Sequence, residues 1–92
     1  MDEFASECLD LITECEFTSR WALIEGYHSL GLRLIDKSDE ELQRLAPQLH
    51  KRFRTLQNCR EFAKKYPDLN LLPEGKHMNW YRICNKYLRK ED

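Results

Sequence analysis

Ten consecutive positions, 51–60, hold Lys51, Arg52, Arg54, Gln57, Asn58 and Arg60. These are side chains that proteins use on duplex DNA. Arginine can grip guanine with two hydrogen bonds, Gln and Asn can do the same on adenine, and lysine neutralises phosphates. Thr55 adds a hydroxyl within the run and Lys64 extends it. On a helix, the apolar residues Phe53, Leu56, Cys59, Phe62, Ala63 and Tyr66 recur at 3–4 spacing and take the buried side. The polar set then faces outward, with Arg54, Gln57 and Asn58 as base readers and Lys51, Arg52, Thr55, Arg60 and Lys64 completing the DNA contact.

Such a set works only if an element carries it into a groove. A helix-turn-helix needs a small residue where its two helices touch, a tight turn about four residues on, and apolar positions that dock the second helix. Ala46, His50, and the trio Leu49, Leu56 and Cys59 stand at those places. Ser38-Asp39-Glu40-Glu41 is a capping box that opens the first helix, whose apolar face is Leu42, Leu45/Ala46 and Leu49. Pro47 must end this helix early or begin the next, because proline suits a first turn. His50 replaces the usual turn Gly, and Arg52 stands where Ser or Thr would cap. The apolar spacing runs on unbroken, so one continuous helix from Pro47 to Tyr66 fits as well as two helices and a turn. Both readings stay open at this point. Tyr66-Pro67 ends the segment, since the residue before proline avoids the α region.

The remaining elements are also helical. Residues 2–15 place Phe4, Cys8, Leu11/Ile12 and Cys15 on one face, with Asp2 and Glu3 at the positive end of the helix dipole. Glu16-Phe17-Thr18-Ser19 offers two caps, and a second helix follows over about Arg20 to Ile35. Gly26 and Gly31 each cost it roughly 1 kcal/mol against Ala, a cost that close approach of another helix would justify. Asp68 to Gly75 is a loop whose Leu69, Leu71 and Leu72 are expected to pack down. Asn79 caps a last helix that buries Trp80, Ile83/Cys84 and Tyr87/Leu88. Trp21, Tyr27, Trp80 and Tyr87 read as core residues on their spacing.

Composition agrees. The 92 residues contain no Val, four Ile, three Thr and 14 Leu, a helix-forming set. The expected fold is all-α, a single domain spanning 1–92 with four to five helices. Residues 1–37 form acidic N-terminal helices suited to dimerisation, 38–66 the helix-turn-helix segment with its motif at about 39–66, and 77–90 the C-terminal helix. A net charge of −1 conceals a split: residues 1–46 hold 4 Lys/Arg against 11 Asp/Glu, a balance of −7, and residues 47–92 hold 11 against 5, a balance of +6. The basic half suits a polyanion; the acidic N-terminal helix suits a basic protein partner or the basic half of a second copy.

No apolar run approaches the ~18 residues of a membrane span, and the acidic N-terminus is unlike a signal peptide. The four cysteines form no CxxC pair, so buried thiols in a reducing cytoplasm are expected. His28, His50 and His77 lack ligand spacing with them, and no metal or other cofactor is expected. No enzyme is expected either: His28 beside Glu25 is an ordinary helix-surface pair.

Two blocks resemble small, largely uncharacterised helix-turn-helix proteins of phages and prokaryotic mobile elements. One is Ser19-Arg-Trp-Ala-Leu-Ile-Glu-Gly-Tyr-His-Ser-Leu-Gly-Leu-Arg-Leu-Ile35. The other is Phe62-Ala-Lys-Lys-Tyr-Pro-Asp-Leu69, continued by Leu72-Pro-Glu-Gly-Lys76 and Trp80-Tyr-Arg-Ile-Cys-Asn-Lys-Tyr-Leu88. They flank His50-Lys-Arg-Phe-Arg-Thr-Leu56, which keeps Arg54, Thr55 and Leu56 of the turn pattern in those proteins but lacks its Gly and Ser. The resemblance implies a DNA-binding regulator of transcription or replication. The alternative is a small helical adaptor or inhibitor that binds a protein and no nucleic acid.

Overall fold

The boundaries of the first helices follow their caps. Ser19 accepts a hydrogen bond from the Ala22 amide at 3.0 Å and opens α2, Arg20–Arg33. The Ser38 hydroxyl accepts from the Glu41 amide and the Glu41 carboxylate accepts from the Ser38 amide, each at 3.2 Å, which opens α3, Asp39–Leu49. Before them lies α1, Glu3–Glu16; after them come α4, Phe53–Lys65, and a 3₁₀ turn, Leu69–Leu71. Asn79 caps α5, which begins as Trp80–Arg82 and widens into a π-helix over Ile83–Tyr87. The computed structural model describes residues 3–16, 19–72 and 78–88, and these form an all-helical domain with no strand.

α2 is the central element. It packs along both α4 and α1, while α3 packs against both α4 and α1. Gly31 is the point of closest approach. A Cβ there would sit 1.9 Å from the Cys59 carbonyl oxygen and 2.9 Å from the Ala63 Cβ, so the two helices touch backbone to backbone only because Gly31 has no side chain. The expected helix–helix reason for this glycine holds.

Two apolar clusters close the core. Ala5, Cys8 and Ile12 of α1 meet Tyr27, Leu30 and Leu34 of α2, Leu42, Leu45, Ala46 and Leu49 of α3, and Leu56 and Cys59 of α4. The second cluster joins Ile24 and Phe62 to Leu72, Met78 and Ile83, with Trp21, Tyr66, Trp80 and Tyr87 packed around it. Edge-to-face rings link α2, α4 and α5: Tyr27 on Trp80 at 4.8 Å, Phe62 on Trp80 at 5.6 Å. His28 is buried, and its Nε2 lies 2.6 Å from the Tyr66 carbonyl oxygen, tying α2 to the last turn of α4.

Three expectations require correction, the first being that His28 is a helix-surface residue paired with Glu25, since it is 6% exposed and bound to the Tyr66 carbonyl. α3 continues through Pro47 to Leu49. The proline costs only one hydrogen bond close to the helix end, while the buried Leu45, Ala46 and Leu49 hold the turn around it in place. Within the 69–72 stretch, Leu72 is buried and Leu69 packs against the second cluster, but Leu71 is 64% exposed, so the loop packs down at two leucines and not at all three. Residues 73–77, with Lys76 and His77, and the Cys15 side chain lie outside the described residues. No described helix is long and apolar enough to cross a membrane.

Candidate nucleic-acid interface

The chain breaks where the turn of a helix-turn-helix belongs. α3 ends at Leu49, α4 starts at Phe53, and only His50, Lys51 and Arg52 lie between them. His50 adopts the left-handed conformation, φ 55° and ψ 37°, and is the only described non-glycine residue with positive φ. Its amide donates to the Pro47 carbonyl at 3.4 Å and the Lys51 amide to the Ala46 carbonyl at 3.1 Å. Those two bonds are the Schellman closure that a glycine usually supplies. The continuous-helix reading of 47–66 is thereby excluded.

The structure divides the eight candidate residues between solvent and scaffold. Arg52 and Arg54 are exposed at the start of α4 and form no ion pair among the described residues. The Arg52 side chain does not cap the helix. Thr55 is half-buried, and its amide closes on the Arg52 carbonyl at 3.0 Å. Lys64 is exposed and only loosely paired with Glu61 at 3.9 Å. Among the described residues, Arg52, Arg54 and Lys64 are the candidates most open to a polyanion.

The others are spent inside the molecule. Lys51 binds the Glu16 carboxylate at the end of α1, which also accepts the Tyr27 hydroxyl at 2.8 Å. Desolvation pushes the Glu16 pKa up, but Lys51 and Tyr27 outweigh it and hold the carboxyl below its usual range. Arg60 is a strut between α4 and α3 instead of an open DNA contact. Its Nη1 donates to the Lys37 carbonyl at 2.9 Å, its Nη2 to Asp39 at 2.7 Å and its Nε to Glu61 at 3.0 Å, with 11% of the side chain exposed. Arg60 holds the Asp39 carboxyl below its usual range against desolvation, and the Gln57 amide adds to that hold. Asn58, half-buried, donates to Cys84 Sγ at 3.4 Å on the α5 side.

Sequence reasoning missed two features. Glu61 is exposed on α4 among the cations, so the face is less positive than a count of Lys and Arg suggests. Tyr81 is 78% exposed on α5, an aromatic off the period of its buried neighbours. That irregular phase is the signal that could have found it. Among the described residues no three His, Cys, Asp or Glu side chains converge as metal ligands would.

Comparison with protein families, with curated proteins and with solved structures gave no match to this chain.

Proposed function

We propose that this protein is a duplex-DNA-binding helix-turn-helix module, a regulator of the kind found in phages and mobile elements, with α4 as its recognition helix. The observation that carries the reading is the left-handed break at His50, which frees the start of α4 with Arg52 and Arg54 exposed. Recognition helices contact base edges through their first residues. Arg54 reads bases, and Arg52 and Lys64 neutralise phosphates; Gln57 and Asn58 reach a base only by leaving Asp39 and Cys84.

The test is fluorescence anisotropy of labelled duplexes, first random and then selected, between 50 and 200 mM salt. Micromolar affinity that falls steeply with salt supports phosphate neutralisation, and no binding at low salt overturns the reading. Arg54→Ala should cost about 1–3 kcal/mol on a selected site, whereas Lys64→Ala should weaken all sequences alike. Arg60→Ala should instead lower folding stability by about 1–3 kcal/mol and leave the affinity of the folded protein nearly unchanged.

The outer row of α1 supports a second reading. Glu3, Glu7 and Asp10 are exposed on one face, and Arg33 meets Glu7 at 3.4 Å. This row suits a basic protein partner or a second copy of the chain. Binding to such a partner with no affinity for DNA would favour the adaptor.

A further inference from the structure

α5 lies along α4 toward its C-terminal end, with Trp80 on Phe62 at 5.6 Å and Tyr87 on Tyr66 at 6.4 Å, and reaches the middle of α4 at Cys84. Asn58 reaches Cys84 Sγ, and burial pushes the Cys84 thiol up to about 11, with the Asn58 amide and the nearby Arg54 charge pulling the other way. Tyr81 stands three residues before Cys84 and four before Asn85, so Tyr81 and Asn85 share an exposed row of α5 beside Cys84. The Asn85 amide donates to the Tyr81 carbonyl at 2.8 Å, which leaves its second N–H and the whole Tyr81 phenol outside. At 78% exposure Tyr81 is the most exposed large hydrophobic residue among those described, while Ile83, two residues on, is fully buried. Packing therefore gives no reason for a tyrosine at that position.

The two flanks of α4 differ in charge. On the α3 side stand Asp39, Glu40 and Glu41, with Glu61 bridged toward them through Arg60. On the α5 side, residues 78–88 contain no Asp or Glu, and Arg82 and Lys86 are exposed there. A duplex seated on α4 brings a sugar-phosphate strand along each flank, and among the described residues the α5 flank, 78–88, presents no carboxylate while the α3 flank presents several. We propose that α5 is the second wall of the duplex-binding face, with the Tyr81 hydroxyl and the free N–H of Asn85 donating to phosphates beside the groove that Arg54 enters. The inference rests on the DNA-binding reading above and extends its site to a second helix.

The test compares wild type, Tyr81→Phe, Tyr81→Ser and Asn85→Ala by anisotropy on one duplex at several salt concentrations. Unchanged far-UV circular dichroism and melting temperature serve as the folding check. A phosphate-bound hydroxyl predicts that Tyr81→Phe and Tyr81→Ser weaken binding equally, by roughly five- to tenfold, with no change in the salt slope because no cation is removed. Asn85→Ala should cost a further few-fold. Affinities within twofold of wild type for both tyrosine variants would overturn the proposal, as would a loss seen only with Tyr81→Ser, while the DNA-binding reading stands as long as wild type binds. A wild-type protein that does not bind removes both.

Discussion

His50 and Gly31 are opposite solutions to steric crowding, and each makes a distinct prediction. His50 takes a left-handed backbone that costs a residue with a Cβ roughly 1–2 kcal/mol, repaid here by the two closing hydrogen bonds of the turn. The side chain is exposed, so His50→Gly should raise stability by roughly 0.5–1 kcal/mol once the greater freedom of unfolded glycine is counted. A urea midpoint that does not rise would show that the histidine makes a compensating contact. Gly31 stands where a methyl would collide with the Cys59 carbonyl. Gly31→Ala should cost about 3 kcal/mol or more by forcing α2 and α4 apart, read as a lower thermal midpoint. Both positions were visible in the sequence as oddities, a histidine where a glycine belongs and a glycine inside a helix. Their physical meaning depended on which backbone each would meet.

Between elements, charged side chains act as fasteners more often than as a free surface. Glu16 joins the end of α1 to α2 through Tyr27 and to the turn through Lys51, while Asp39 and Glu41 secure the start of α3. All three carboxyls have their pKa lowered by folding. A depressed folded pKa adds stability above the unfolded value and loses it as pH falls through the folded one. Stability should therefore stay level above about pH 5 and decline as pH drops below the ordinary range for Asp and Glu near 4. Glu16→Gln should be less stable at neutral pH by under about 1 kcal/mol, since its site is largely solvated, and the difference should vanish toward pH 3. A gap that persists at pH 3 would mean that the carboxylate charge is not what Lys51 binds. Amphipathic spacing made the helices legible, but it could not show that Lys51, Asn58 and Arg60 are committed to Glu16, Cys84 and Asp39, because those partners are 35, 26 and 21 residues away in sequence.

For the whole molecule, the acidic half of the chain supplies two separate faces: the outer row of α1, which packs on α2 and α3, and the start of α3, whose Asp39 is paired with Arg60 of α4. α1 cannot be removed to test its effect on DNA binding, because Ala5, Cys8 and Ile12 are part of the main core. Neutralising the row is the appropriate experiment. The triple variant Glu3→Gln, Glu7→Gln, Asp10→Asn should leave the thermal midpoint within a few degrees of wild type and strengthen duplex binding at 50 mM salt. That gain should fade by 200 mM, where the Debye length falls below about 10 Å. A gain that survives high salt would indicate direct contact between α1 and the proposed duplex-binding face.

Local chemistry determined a large share of this protein. The absence of Val, the abundance of Leu and the caps at Ser19, Ser38 and Asn79 required an all-helical chain with nearly these boundaries, because capping and periodicity act within a few residues. The turn at His50 could not be decided that way, since the apolar period passes through it unbroken. Docking decided it. Leu49 of α3 and Leu56 of α4 are both fully buried in the main core, with α3 packed on α1 and α4 along α2, and the left-handed residue makes the break between the two helices. The same docking separated exposed Arg52 and Arg54 from the enclosed Arg60, which no spacing along a helix could distinguish.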